Sequence, residues 1–153
     1  MKKTHLILLL RWLVPSLILI GFLILPDVLQ TASESPLASN WIARLFFAIY
    51  LMNPFVGAAK VIERPEVVEA ENRRNEFYTP DEDSQKLFNM FGTLFSILSS
   101  TVVFYLGLGI FFSMGGFGKF ILTLLFAAVV GSMRFFVSRL SAGHGFSSTP
   151  RLE

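Results

Sequence analysis

The sequence predicts an all-α, polytopic membrane protein. A single membrane domain, residues 1–153, would hold four transmembrane helices as an antiparallel bundle, with a short cytoplasmic helix between spans two and three. Hydrophobic residues make up 53% of the chain and charged residues only 16%, whereas soluble domains carry about a quarter charged residues. The apolar residues fall into four runs close to the roughly 20 helical residues that cross a bilayer. None of the runs alternates as barrel strands do, so helices are predicted.

The four predicted spans cover residues 6–25, 41–59, 87–112 and 120–137. The third and fourth runs are joined by a short glycine-rich turn from Ser113 to Lys119, which predicts an antiparallel hairpin. Residues 60–86 form a cytoplasmic loop in this arrangement, and residues 138–153 form a cytoplasmic tail.

The first run has an alternative interpretation as a cleaved signal peptide. Lys2 and Lys3 supply a basic start, and residues 31–33 (Thr-Ala-Ser) are an acceptable small-residue cleavage site. The run is, however, longer than a usual signal core, and Arg11 interrupts it. Cleavage would leave three spans and an outside N-terminus.

The distribution of basic residues predicts the orientation, because Lys and Arg concentrate on the cytoplasmic side. Eleven of the 13 basic residues lie at the N-terminal end, between spans two and three, or at the C-terminal end. The exceptions are Arg44, which we interpret as an outer-interface anchor beside Trp41, and Lys119. We therefore predict cytoplasmic N- and C-termini, in a bacterial inner membrane.

The hydrophilic loop at residues 60–86 carries eight acidic and five basic side chains. Pro65 followed by Glu66 is typical of a first helical turn, and we expect a short helix from Pro65 to Phe77. A solvated charged helix accounts for this composition. The alternatives are a hard-cation site or a docking surface for a soluble partner.

A capping box precedes the third span. Thr79 can cap the helix, Pro80 would occupy its first position, and Glu82 stands three residues after the cap. The third helix is therefore expected to begin near Pro80.

Four basic residues are candidates for contact with anionic lipid or with a partner protein: Arg11, Lys60, Arg64 and Arg134. All lie near the predicted cytoplasmic ends of the spans. One interpretation is that they extend toward lipid phosphates. The alternative is that Arg11 and Arg134 line one pocket for an anionic headgroup or a partner's carboxylate, because ionisable groups within a span are usually functional.

A candidate kink site combines Pro15, Tyr50, Asn53 and Pro54. Each proline removes a helical hydrogen bond, which predicts a kink and a free carbonyl at Arg11 and at Tyr50. Broken helices of this kind form transporter sites, but Asn53 can equally form a hydrogen bond between helices at a structural kink.

Small residues at four-residue spacing mark a candidate packing face. Gly92, Ser96 and Ser100 lie on the third predicted helix, and Ala127 and Gly131 lie on the fourth. Such stripes let helix backbones approach closely in lipid. The face could serve packing within the hairpin or a homo-oligomer.

The sequence contains no recognisable group of catalytic, cofactor-binding or metal-binding residues. The chain has no cysteine and only two histidines, His5 and His144, far apart and without a second ligand at useful spacing. We therefore predict no catalytic, cofactor-binding or metal-binding residues, and no cofactor. The basic residues are too sparse for a nucleic-acid surface.

Two partial family resemblances exist. The segment 104–150 resembles small bacterial four-helix membrane proteins of unknown function. In those proteins an Arg–Ser element ends a late helix before a glycine-containing turn. The resemblance rests on residues 107–112, 131–134, 138–140 and 144–145. The chain lacks the further helix of that family, and the resemblance implies no activity. Length and helix count are similar to those of the four-helix membrane glutathione-transferase-like family. Its Arg-rich motif is echoed only at residues 72–76, without the histidine, so its chemistry is not carried over.

From these features we expect a non-enzymatic accessory or assembly subunit that packs with a larger membrane partner. Its partners would be membrane lipids, anionic at the cytoplasmic face, with a membrane protein or a homo-oligomer as further contacts. The first alternative is a small transporter or channel with a site between the kinked first and second helices. The second alternative is a membrane-embedded transferase, for which the pair Arg73–Arg74 would be needed.

Overall fold

The computed structural model describes residues 3–30, 36–68 and 82–144, and all regular secondary structure in these ranges is helical. Four helices are long and apolar enough to cross a membrane: Thr4–Leu23, Trp41–Glu63, Met90–Phe112 and Gly116–Val137. The all-helical fold class with four long apolar helices is therefore confirmed. The largest boundary differences from the predicted spans are Glu63 against residue 59 and Gly116 against residue 120.

The first long helix is built in three pieces: α1 (Lys3–Leu8), a π-helical turn (Leu9–Leu13) and α2 (Val14–Leu23). In the wide turn, the Val14 N–H donates to the Leu9 carbonyl five residues earlier. Pro15, near the start of α2, has no N–H to give to the Arg11 carbonyl. The helix thus has its irregular segment next to Pro15, where the sequence predicts a kink.

Two short helices connect the first long helix to the second: α3 (Leu25–Val28) and α4 (Pro36–Ser39). The second long helix, α5 (Trp41–Glu63), begins at an N-cap. The Asn40 side-chain oxygen accepts from the N–H of Ile42 at 2.9 Å and of Ala43 at 3.4 Å. This arrangement satisfies two of the free N–H groups of the first turn. α5 continues through Pro54 without a break in its helical assignment.

Residues 65–68 are helical, in agreement with the start of the helix expected from Pro65. The rest of that expected helix, to Phe77, and the Thr79–Pro80 cap lie outside the described residues.

The third and fourth long helices are α6 (Glu82–Phe112) and α7 (Gly116–His144). Their connection is shorter than the predicted turn from Ser113 to Lys119, because only residues 113–115 are non-helical. The backbone has positive φ angles of 49° at Ser113 and 64° at Gly116 in this short connection. Lys119 is already inside α7, where its carbonyl accepts the Thr123 hydroxyl at 2.7 Å.

α5 is the central helix and contacts each of the other three long helices. Buried apolar side chains form two clusters along it. The Leu10 cluster consists of Leu10, Phe55, Ala58, Ala59, Ile62, Val130 and Val137. The Phe22 cluster consists of Phe22, Ala38, Ala48, Leu51 and Phe111.

Aromatic rings connect the two clusters across several helices. The Phe22 ring meets Phe111 edge-on at a centroid distance of 5.8 Å. Phe104 of α6 stacks on Phe126 of α7 at 4.2 Å. Edge-on and stacked pairs stabilise a fold beyond the area that they bury. These rings therefore hold α6 against both the first long helix and α7.

Candidate functional site

Arg11 lies in the π-helical turn and forms an ion pair with the end of α5. Its Nη1 donates to Glu63 Oε2 at 2.8 Å, and about half of the Arg11 side chain is exposed. π-helical turns are rare and often occur at functional positions. The partner of Arg11 within the described residues is thus a carboxylate of the same chain, which sequence analysis did not predict.

Arg134 of α7 bonds to α6. Its Nη2 donates to the Ser96 hydroxyl oxygen at 2.8 Å. The Ser96 carbonyl, in turn, accepts the hydroxyl of Ser100 at 2.7 Å. Arg134 Nε is buried without a hydrogen-bond partner among the described residues. This guanidinium therefore joins two helices, and one of its donors is buried and unpaired there.

Arg11 and Arg134, which sequence analysis considered as the lining of one pocket, have different hydrogen-bond partners. Within the described ranges, Arg11 bonds to Glu63 and Arg134 bonds to Ser96. Both residues border the Leu10 cluster through their neighbours Leu10 and Met133. Lys60 and Arg64 are exposed at the end of α5.

The kink residues divide between the inside and the outside of the bundle. Pro15 and Pro54 are buried, whereas Tyr50 and Asn53 are exposed on α5. The Asn53 side chain forms no hydrogen bond with the part of the chain that the structure describes, so the hydrogen bond between helices that the sequence suggested for Asn53 is not made among these residues. Because α5 is continuous, Pro54 does not create a broken helix here.

The small-residue face is used unevenly. Ser100 is buried and Ser96 binds Arg134, so the centre of the α6 stripe does face α7. Ala127 is partly buried. Gly92 and Gly131 differ from these residues, because a Cβ atom added at either would meet no atom within 4 Å. These two glycines are not sites of close helix approach within the chain.

The closest approaches occur at two glycines that were not singled out from the sequence. A Cβ on Gly107 would lie 2.7 Å from the Phe22 ring. A Cβ on Gly109 would lie 2.7 Å from Lys119 Nζ, which sits 3.7 Å from the centre of the Tyr105 ring. The sequence feature that could have indicated these close approaches is the Gly-x-Gly spacing at residues 107–109, together with a phenylalanine in the first apolar run and a lysine just before the fourth.

Arg44, interpreted from the sequence as an outer-interface anchor, is a buried residue that connects several helices. It is 4% exposed. Its Nη1 and Nη2 each bind one Asp27 oxygen at 2.7 Å, its Nε donates to the Ala38 carbonyl at 2.6 Å, and Nη1 also reaches the Leu23 carbonyl at 3.2 Å. This set joins the end of α2, α3, α4 and α5. The signal was an Asp and an Arg on opposite sides of one short connection.

The hydrogen bond from Arg44 also changes the acidity of its partner. It stabilises the ionised carboxylate and lowers the pKa of Asp27 below its ordinary value. Asp27 itself remains exposed, so the carboxylate is held by the arginine and not by burial.

One open apolar groove of about 490 Å³ runs along the outer side of the π-helical turn. Its lining comes entirely from the first long helix: His5, Leu8, Leu9, Trp12, Leu13 and Ser16. Among the residues with described placement, no three His, Asp or Glu side chains come together as metal ligands would. The charged and polar side chains described above therefore form contacts between helices.

Comparison of the chain with protein-family models, with curated proteins and with solved structures finds no match.

Proposed function

We propose that this chain is a non-enzymatic accessory or assembly subunit of a membrane complex, and that its helices pack against a larger membrane partner. The observation that carries the proposal is the small internal core. Of the four apolar helix segments, only 17%, 39%, 22% and 17% is buried inside the chain, in chain order. Large apolar surface along all four helices thus remains for lipid and for partner helices.

The polar contacts support a structural role. Arg11–Glu63 and Arg134–Ser96 each join two long helices, and Arg44 joins four segments. In lipid, hydrogen bonds between helices help to hold a bundle together. These arginine side chains, whose burial in a membrane without a partner would be unfavourable, accordingly hold the helices in position.

We also propose the antiparallel arrangement and the cytoplasmic termini. Arg11, in the first half of the first long helix, contacts Glu63 at the end of α5, and Ser96, near the middle of α6, contacts Arg134 in the second half of α7. These contacts agree with up-and-down neighbours. The excess of Lys and Arg at the ends that hold Arg11 and Arg134 supports cytoplasmic termini in a bacterial inner membrane.

Purification from native membranes in a mild detergent tests the accessory role. The expected result is elution well above the 17.2 kDa monomer, together with one other membrane protein in constant ratio. Deletion of this chain should then leave that protein incompletely assembled. A clean monomer, or a co-purifying protein whose assembly is unaffected by the deletion, would reject the proposal.

A small transporter or channel is the second candidate, and the π-helical turn is the observation that favours it. Such turns free carbonyl groups that can bind ions or polar solutes. The test is solute flux in liposomes. Flux that is lost in Asn53→Ala and retained in Ser99→Ala would support it, whereas no flux above that of empty liposomes would reject it.

A further inference from the structure

α5 carries one exposed face along its whole length, although it is the central helix of the chain. The exposed side chains on this face follow one another at alternating steps of four and three residues: Ile42, Phe46, Ile49, Asn53, Val56, Lys60 and Glu63. A 3.5-residue repeat is the spacing by which two helices pack along a common seam. We call these seven residues the α5 seam.

The middle of the α5 seam is a polar amide. Asn53 comes twelve residues after Trp41 and ten before Glu63, so it lies roughly 18 Å from the start of α5 and roughly 15 Å from its end. In the proposed membrane orientation this is close to the bilayer midplane. An amide facing hydrocarbon without a partner is unfavourable, and Asn53 has no hydrogen bond within the described residues.

A carbonyl without its usual helical donor lies at the same level. Pro54 has no N–H, so the Tyr50 carbonyl lacks its usual helical donor. Gly57, one turn beyond Asn53, would accept a Cβ atom with no neighbour within 4 Å. The centre of the seam therefore offers both hydrogen-bonding groups and room for another helix to approach.

The chemistry of the α5 seam fits a second copy of itself. An asparagine amide is both a donor and an acceptor, so two asparagines can pair across a two-fold axis. Copies inserted in the same orientation have parallel α5 helices, which brings Asn53 to the same depth in both.

We propose that the α5 seam is a homo-oligomer contact, in which α5 helices of two copies pack in parallel and pair their Asn53 amides. The proposal rests on membrane insertion as proposed above, but it does not depend on the accessory role. A single asparagine at a seam position sets register and partner number in coiled coils, and in lipid a hydrogen bond between two helices also stabilises their association. Asn53 would have that role here.

Cysteine cross-linking gives a direct test, because the natural chain has no cysteine. Val56→Cys, on the seam, is compared with Val102→Cys, an exposed valine of α6, in native membranes treated with a membrane-permeant oxidant. We expect disulfide-linked dimers of the chain from Val56→Cys and no more than background from Val102→Cys. Equal cross-linking at both positions, or none at Val56→Cys, overturns the proposal.

The Asn53 amide is tested in the Val56→Cys background. Asn53→Val should weaken the association of the two copies about threefold to thirtyfold and reduce cross-linking accordingly. Asn53→Gln keeps a donor and an acceptor and should retain most of the cross-linking. An unchanged Asn53→Val variant overturns the pairing.

Two further measurements distinguish the homo-oligomer contact from the accessory role. Extraction of the membranes with alkali checks insertion: release of the chain overturns both proposals. Cross-linking of Val56→Cys to a different protein, in place of a second copy, overturns the homo-oligomer contact while it supports the accessory role.

Discussion

Arg44 and Asp27 form a two-point ion pair in which the guanidinium is 4% exposed and the carboxylate side chain is 67% exposed. The arginine is therefore the inner partner and the aspartate closes the site from outside. Because the same guanidinium also binds the carbonyls of Ala38 and Leu23, the pair holds the connection between the first long helix and α5.

Removal of Arg44 should weaken the fold. Arg44→Leu loses four hydrogen bonds from one buried cation, and we expect the free energy of unfolding to fall by about 2–4 kcal/mol. Unfolding in detergent, followed by circular dichroism, measures it. Arg64→Leu, at an exposed position on the other end of α5, is the control and should change stability by less than about 0.5 kcal/mol. Equal effects of the two substitutions would contradict the inner role of Arg44.

The same ion pair predicts a response to acid. Arg44 lowers the pKa of Asp27 in the folded chain below 3.8, the ordinary value that applies when unfolded. The stabilisation is therefore complete above that value and is lost as the pH falls through the lower, folded-state pKa. Asp27→Asn should remove this component. Unfolding measured at a series of pH values below about 5 tests it, and identical acid profiles for both proteins would be the contrary result.

Ser96 and Ser99 form a matched pair for the contact between α6 and α7. Ser96→Ala removes the acceptor of Arg134 Nη2, and we expect a loss of about 1–2 kcal/mol in stability. The Ser99 hydroxyl only donates to the Ser96 carbonyl of its own helix, so Ser99→Ala should be nearly neutral. Thermal unfolding in the same detergent compares them. A neutral Ser96→Ala would mean that the Arg134 contact does not hold the helices.

Two glycines should respond oppositely to alanine. Gly107→Ala forces a Cβ to 2.7 Å from the Phe22 ring and should destabilise the chain by about 1–3 kcal/mol. Gly131→Ala meets open space in a helix, so stability should stay unchanged or rise by up to about 1 kcal/mol. Chemical unfolding of both variants is the measurement. A strongly destabilising Gly131→Ala would restore the close packing expected there from the sequence.

Substitution of Arg11 should affect the binding of lipid or of a partner more than it affects the stability of the fold. Its ion pair with Glu63 is half exposed, so Arg11→Leu should change the free energy of unfolding by less than about 1 kcal/mol. Membrane insertion should also persist, while retention of anionic lipid, or of a partner, should fall. Native mass spectrometry from bilayers with anionic or only zwitterionic lipid measures this, and Arg11→Lys is the charge-preserving control. An Arg11→Leu variant with normal lipid retention and assembly would remove Arg11 from the site.

Helix positions followed from local pattern alone. The apolar runs predict all four long helices, and no span end differs from prediction by more than four residues, because helix formation and hydropathy depend on neighbours in sequence. Pro15 likewise marked the irregular part of the first helix in advance. The turn before α7 was predicted too long, because Gly116 enters the helix from a positive φ that composition does not reveal.

Partners of the polar side chains were harder to predict. The sequence left open whether Arg11 and Arg134 extend toward lipid or line one pocket, and it did not indicate their bonds to Glu63 and Ser96. It likewise did not indicate that Arg44 is buried and binds Asp27. Each of these pairings depends on how two helices are rotated about their axes, and a single run of residues contains little information about rotation.

The amino-acid sequence by itself determined four apolar helices and the uneven distribution of basic residues, since both depend on residue type and local spacing. Only the tertiary structure decided which face of each helix is covered. Packing around α5 buries Arg44 and leaves Asn53 outside, because the side chains that neighbouring helices cover depend on contacts between residues distant in sequence.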